Sequence, residues 1–182
     1  MKATGIVRRI DDLGRVVIPK EIRRTMRIRE GDPLEIFTSN DGEVIFKKYS
    51  PIGELSNFAS QYAETLSKTS GHAICITDKD MIIAVSGAPK KDFTEKRVSN
   101  DIEKVIEEKT PVYVKPGDNT HLSVLDGIDK YVAGVVVPII SEGDAIGSVV
   151  FFGSESAAPQ ISEVEQKLAQ SAAGFLGKQM EE

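Results

Sequence analysis

The first 53 residues set the hardest constraint on this chain, because they are cut into pieces too short to enclose a core. Ile6-Val7 and Val16-Val17-Ile18 are β-branched runs suited to strands, and the turn-forming Asp11-Asp12-Leu13-Gly14 separates them. Pro19 fits the first turn of a helix, where its missing N–H costs nothing. Ile22 and Met26, one helical turn apart, give that helix an apolar side expected to face a core. Gly31-Asp32-Pro33 breaks the chain again. Leu34-Glu35-Ile36-Phe37 and Val44-Ile45-Phe46 then flank Asn40-Asp41-Gly42, a hairpin signal. A unit of roughly 50 residues buries too little surface to be comfortably stable alone. The single cysteine, Cys75, excludes an internal disulfide and a multi-cysteine zinc site, so neither can staple it. Oligomerisation is the remaining route to a core, and an obligate dimer is expected at this end.

Ser50-Pro51-Ile52-Gly53 marks a boundary, which divides the chain into residues 1–53 and 54–182. Leu55, Phe58, Ala59, Tyr62, Ala63 and Leu66 recur at helical spacing and predict an amphipathic helix near 54–69, ended by Ser70-Gly71. Ala73–Ile76 and Met81–Val85 read as a hairpin around Asp78-Lys79-Asp80. Val98, Ile102, Val105 and Ile106 mark a second helix, stopped before Pro111. Tyr131–Ile140 and Ala145–Phe152 are long β-rich runs joined by Ser141-Glu142-Gly143-Asp144. The last helix, near 160–181, opens with the capping-box pattern Ser162-Glu163-Val164-Glu165, and its expected apolar stripe is Ile161, Val164, Leu168, Ala172 and Phe175. This order describes an α+β domain, an antiparallel sheet with helices packed on it. The two end helices are placed to pack on their sheet, on the same pair of another subunit, or on both.

Charge separates the two parts. Residues 1–53 carry 11 Lys/Arg against 8 Asp/Glu, a net of +3, while residues 54–182 carry 12 against 20, a net of −8. Residues 1–29 are sharper, with 9 basic against 3 acidic residues. Such asymmetry suggests a polyanion partner at one end, although charge alone leaves a solvated basic face open. Lys20, Arg23, Arg24 and Arg27 fall at i, i+3, i+4 and i+7, on one side of the short helix. Like charges one turn apart destabilise a helix by ~0.2–0.5 kcal/mol per pair, so this stacking favours a partner that neutralises it. Arg8 and Arg9 lie on the first run and Arg15 follows the turn. Arginine's planar fork suits phosphates and guanine edges.

The stretch from Thr4-Gly5-Ile6-Val7-Arg8-Arg9 through Asp11-Asp12-Leu13-Gly14-Arg15-Val16-Val17-Ile18-Pro19 to Arg23-Arg24 closely resembles the DNA-binding domain of AbrB-type transition-state regulators. The likeness continues through Gly31–Ile36 to Lys47-Lys48-Tyr49. It implies a swapped-hairpin β-barrel, in which two chains exchange hairpins, and it places the family's DNA-contacting arginines on Arg8, Arg15, Arg23 and Arg24. The candidate DNA-binding set is therefore Arg8, Arg9, Arg15, Lys20, Arg23, Arg24 and Arg27. At this length, the whole chain resembles sporulation regulators of endospore-forming bacteria. That resemblance implies a forespore regulator that activates some genes and represses others. It also implies a GAF-like domain over 54–182, with an antiparallel sheet and flanking helices, and a tetramer formed through both domains. GAF domains commonly take small molecules, but no ligand motif is recognisable here, so an effector stays unnamed.

Other chemistry is sparse. His72 and His121 have no neighbours at ligand spacing, and Asp118 near His121 reads as a loop pair. Cys75 sits in an apolar run as a core residue. No phosphate-binding loop, nucleophile elbow or paired zinc motif occurs, so no catalytic residue, cofactor or metal is expected. Methionine sulfoxide reduction, known in some GAF domains, needs several cysteines. No apolar run reaches the ~18 residues of a membrane span, and Met1–Gly5 leads into charge rather than an apolar leader. A cytoplasmic protein without membrane partners is expected. The competing reading is the antitoxin of a toxin–antitoxin pair, since some antitoxins share the swapped-hairpin fold. Those usually end in a disordered acidic tail, whereas residues 54–182 show periodic helices and long strands.

Overall fold

The computed structural model describes residues 5–115, 117–118, 120–154 and 159–181; Thr4, where the family-like stretch begins, lies outside them. The chain divides into two compact units, Met1–Tyr49 and Ser50–Glu182.

In the first unit, helix α1 spans Lys20–Met26 behind Pro19. Strands β1 (Leu34–Thr38) and β2 (Val44–Lys48) form an antiparallel hairpin that pairs Ile36 with Phe46. Gly42 takes the left-handed conformation that its turn requires, at φ 80°. The runs 6–7 and 16–18, expected as strands, belong to no sheet among the described residues. A strand needs a neighbour for its N–H and C=O groups, and one copy of this unit supplies only a two-stranded sheet and no closed barrel among the described residues. The turn between these runs does form: Asp11 N–H donates to the Arg15 carbonyl at 3.1 Å and Gly14 N–H to the Asp11 carbonyl at 3.0 Å. Ile22 and Met26 find no core within one chain. No residue of α1 is buried, and Val7, Val17 and Ile36 are exposed at 87%, 71% and 62%. One helix and one hairpin make a single layer with nothing to close against.

The second unit is an antiparallel six-stranded sheet with helices on both faces. β3 (Ala73–Asp78), β4 (Ile82–Ser86), β5 (Val112–Tyr113), β7 (Ile128–Ser141) and β8 (Asp144–Ser154) run in the order β4-β3-β8-β7-β5. β6 (Ser123–Leu125) pairs with β7. α2 (Pro51–Glu54), α3 (Ser56–Ser70) and α5 (Glu163–Gln179) cover one face through Ile52, Ala59, Ala63, Ala169, Ala172 and Leu176, which meet Ile74, Ile76, Val149 and Phe151. α4 (Asn100–Glu108) covers the other through Ile102, Val105 and Ile106, which meet Cys75, Val150 and Phe152. Successive residues of β3 and β8 thus enter opposite cores, which is why these strands are near-continuous apolar runs. The β7–β8 turn has positive φ at both Glu142 (50°) and Gly143 (85°), the geometry that matches strand twist in a two-residue hairpin. Among the described residues, no helix is long and apolar enough to cross a membrane.

Helix α5 carries two apolar stripes rather than one. Ala169, Ala172, Ala173, Leu176 and Gly177 are buried, whereas Val164 and Phe175 of the expected stripe are 63% and 44% exposed. The helix lies so close to β7 that a Cβ on Gly177 would stand 2.0 Å from the Ile140 carbonyl oxygen. At Gly177 the contact with β7 leaves no room for a side chain, while Val164 and Phe175 face outward.

Candidate nucleic-acid interface

Arg8 and Arg9 are exposed on the arm that precedes the turn. The turn itself is organised by one carboxylate. Asp11 Oδ1 accepts from the backbone N–H groups of Leu13 (3.0 Å) and Arg15 (2.8 Å), and Oδ2 accepts from Arg15 Nε at 2.8 Å. The Arg15 backbone N–H first, then its guanidinium, and the Leu13 N–H hold the Asp11 carboxyl below the ordinary carboxylate range. The Arg15 side chain remains 69% exposed, so its terminal amino groups can reach a ligand.

Lys20 and Arg24 are exposed on α1, and Arg23 is half-buried with a shielded Nε that has no hydrogen-bond partner among the described residues. Arg27 departs from the expected helical face. It follows the helix in the left-handed conformation, at φ 51°, where Arg27 N–H bonds the Arg24 carbonyl at 3.3 Å and Ile28 N–H the Arg23 carbonyl at 2.8 Å. A helix of seven residues ends before the i+7 position, and the reversal turns Arg27 away from its row. The Arg27 carbonyl accepts from Lys48 Nζ at 2.9 Å, and Lys48 also lies 3.6 Å from Asp32, which ties the cap to β2. Sequence reasoning places Asp11 in the turn alone; its i, i+4 spacing to Arg15 is the signal from which the ion pair could have been found.

The second unit offers little acid–base chemistry. Cys75 is fully buried, and burial pushes its thiol well above the ordinary range. His121 and Asp118 are exposed in the β5–β6 connection, and no group of acidic, histidine or cysteine side chains able to hold a metal occurs among the described residues. Phe93, Tyr131 and Phe152 cluster on the α4 side of the sheet in tilted and edge-on contacts, with ring centroids 4.7, 5.1 and 5.7 Å apart. Asp92 accepts from Tyr131 Oη at 2.6 Å and from Lys130 Nζ at 2.9 Å beside that cluster. A cleft of about 320 Å³ opens next to it, lined by His72, Ala88, Tyr131 and Phe152 among others.

A coreless basic unit joined to a folded acidic domain, with no catalytic constellation among the described residues, is the build of a DNA-binding transcription regulator. Comparison with known proteins gives the family. The profile described as stage V sporulation protein T C-terminal, transcription factor, matches residues 54–181, and one described as MazE, bacterial antitoxin, matches residues 7–53. Stage V sporulation protein T of Bacillus subtilis (strain 168) is 53% identical over 183 residues, covering 100% of both chains. The transition state regulatory protein AbrB of the same organism is 61% identical over 51 residues, which span 28% of this chain and 52% of that one. The GAF domain of an Acinetobacter phosphoenolpyruvate-protein phosphotransferase superposes with a TM-score of 0.56 at 13% identity, covering 74% of this chain and 84% of that one, which shows a shared fold. The chain belongs to the stage V sporulation protein T family of transcription factors, and is a sporulation transcription factor rather than an enzyme. The antitoxin reading is not favoured: its profile stops at residue 53, and a folded regulator domain follows instead of an acidic tail.

Proposed function

We propose that the chain is a cytoplasmic, sequence-specific regulator that binds double-stranded DNA and activates some forespore genes while repressing others during sporulation. Residues 1–53 act as a dimeric swapped-hairpin DNA-binding domain, and residues 54–182 as a GAF-like assembly and sensor domain. Arg8, Arg9, Arg15, Lys20, Arg23, Arg24 and Arg27 contact the duplex. The observation that carries this reading is the coincidence, on Met1–Tyr49, of exposed basic residues with apolar residues that one chain leaves uncovered. A second copy of the same chain is the occupant that supplies the missing layer.

The second unit joins such dimers into a tetramer through the outer faces of α3 and α5. Phe58, Tyr62 and Phe175 form a partly exposed ring cluster there, with centroids 5.7 to 6.0 Å apart, and Val164 extends the same stripe. A small-molecule effector in the cleft beside Tyr131 changes transcription only if it binds two arrangements of the protein with different affinity. The test is a map of bound genomic sites in sporulating cells, read beside transcripts from cells lacking the protein. Bound promoters are expected to change expression in both directions. No enrichment above genomic background would overturn the proposal.

A further inference from the structure

The two oxygens of Asp11 do separate jobs. Oδ1 closes the turn through the backbone N–H groups of Leu13 and Arg15, and Oδ2 alone holds the Arg15 Nε–H. We infer that Asp11 is a positioning residue for DNA recognition: by occupying Nε, it fixes the guanidinium so that its terminal amino groups make an ordered, sequence-discriminating contact. The inference rests on the proposal that Arg15 touches DNA.

Simple attraction does not explain an acid in this place. The turn lies between Arg8 and Arg9 on one side and Arg15 on the other, and a carboxylate there repels phosphate. Asp12 adds a second negative charge, while Asp11 spends its own on Arg15. A free arginine side chain must lose much rotamer freedom to make a planar two-point contact. One already held at Nε and by its backbone loses less, and the saving is realised only where both terminal donors meet matching acceptors, as on a guanine edge.

Asp11→Asn separates the two jobs, since the amide oxygen still closes the turn while the amide nitrogen cannot accept from Nε–H. The full chain would be titrated against two labelled duplexes, one enriched from a random pool by the wild-type protein and one of mixed sequence. Asp11→Asn is expected to weaken binding to the enriched duplex by about tenfold, and to leave mixed-sequence binding unchanged or tighter because a negative charge is gone. In an Arg15→Ala background the same substitution should cost nothing further. Equal or tighter binding of Asp11→Asn to the enriched duplex, equal losses on both duplexes, or the same loss without Arg15 would each overturn the positioning role. Unchanged binding of Arg15→Ala would instead overturn the DNA contact itself. A second readout needs no variant to fold: the Arg15 Nε–H proton in the wild-type chain should exchange slowly by NMR, and exchange as fast as in a free arginine would overturn the inference.

Discussion

Arg15, Arg23 and Arg24 are held differently, but each offers donors that the fold does not consume. Arg15 gives only Nε to Asp11, Arg23 has a shielded Nε without a partner among the described residues, and Arg24 is exposed. Replacing each by alanine should weaken DNA binding by about 1–3 kcal/mol while circular dichroism and melting stay unchanged. Unchanged gel-shift affinity in all three variants would defeat the assignment. Gly177 makes the opposite kind of prediction, about stability alone. A Cβ there would stand only 2.0 Å from the Ile140 carbonyl oxygen, so Gly177→Ala forces α5 off the sheet, and chemical denaturation should show a loss of about 1–3 kcal/mol. The Asp11–Arg15 pair leaves only its i, i+4 spacing as a trace in the sequence, and outside a helix that spacing is a weak signal. The Gly177 seam leaves none, because the need for a glycine depends on backbone far away along the chain.

At the scale of elements, what can be read is what repeats locally. The periodic stripes of α3 and α4 and the two hairpins of the second unit are in the sequence because each buries its own pattern. The β-branched runs at 6–7 and 16–18 have strand composition but form no strand within one chain, because a strand is a relation between two segments. The two-residue β5 and three-residue β6 are too short to show a period at all. The start of α5 is readable from chemistry: Ser162 Oγ accepts from Val164 N–H at 3.1 Å, and Glu165 returns to the Ser162 N–H at 2.8 Å. Ser162→Ala should cost about 1 kcal/mol in thermal or denaturant unfolding. The Ser162 hydroxyl chiefly, and the Ser162 N–H and His72 further, hold Glu165 below its ordinary range. Its contribution to stability is therefore complete above the unfolded carboxylate value, about pH 4.3, and is lost as pH falls through the lower folded value. An acid titration should show Glu165→Gln losing less stability than the wild type across that interval.

For the whole molecule, we propose that DNA-binding dimers are joined through the acidic second unit. The outward stripe of Val164 and Phe175 beside Phe58 and Tyr62 is the surface that should do it. Phe175→Glu is expected to convert a sedimenting tetramer into dimers at tens of micromolar; an unchanged tetramer would place the assembly surface elsewhere. Linking two DNA-binding bodies can raise overall affinity by ~10²–10⁴-fold where the geometry lets both engage, so the same variant should weaken binding to duplexes with two sites more than to those with one. Beneath all of this lies the claim that the basic residues of the first unit face a polyanion. It is tested most directly by titrating the full chain with duplex DNA from low to moderate salt. Log affinity should fall steeply and linearly with log salt, at about −0.9 per phosphate neutralised and with several phosphates neutralised; a slope near zero would contradict the claim.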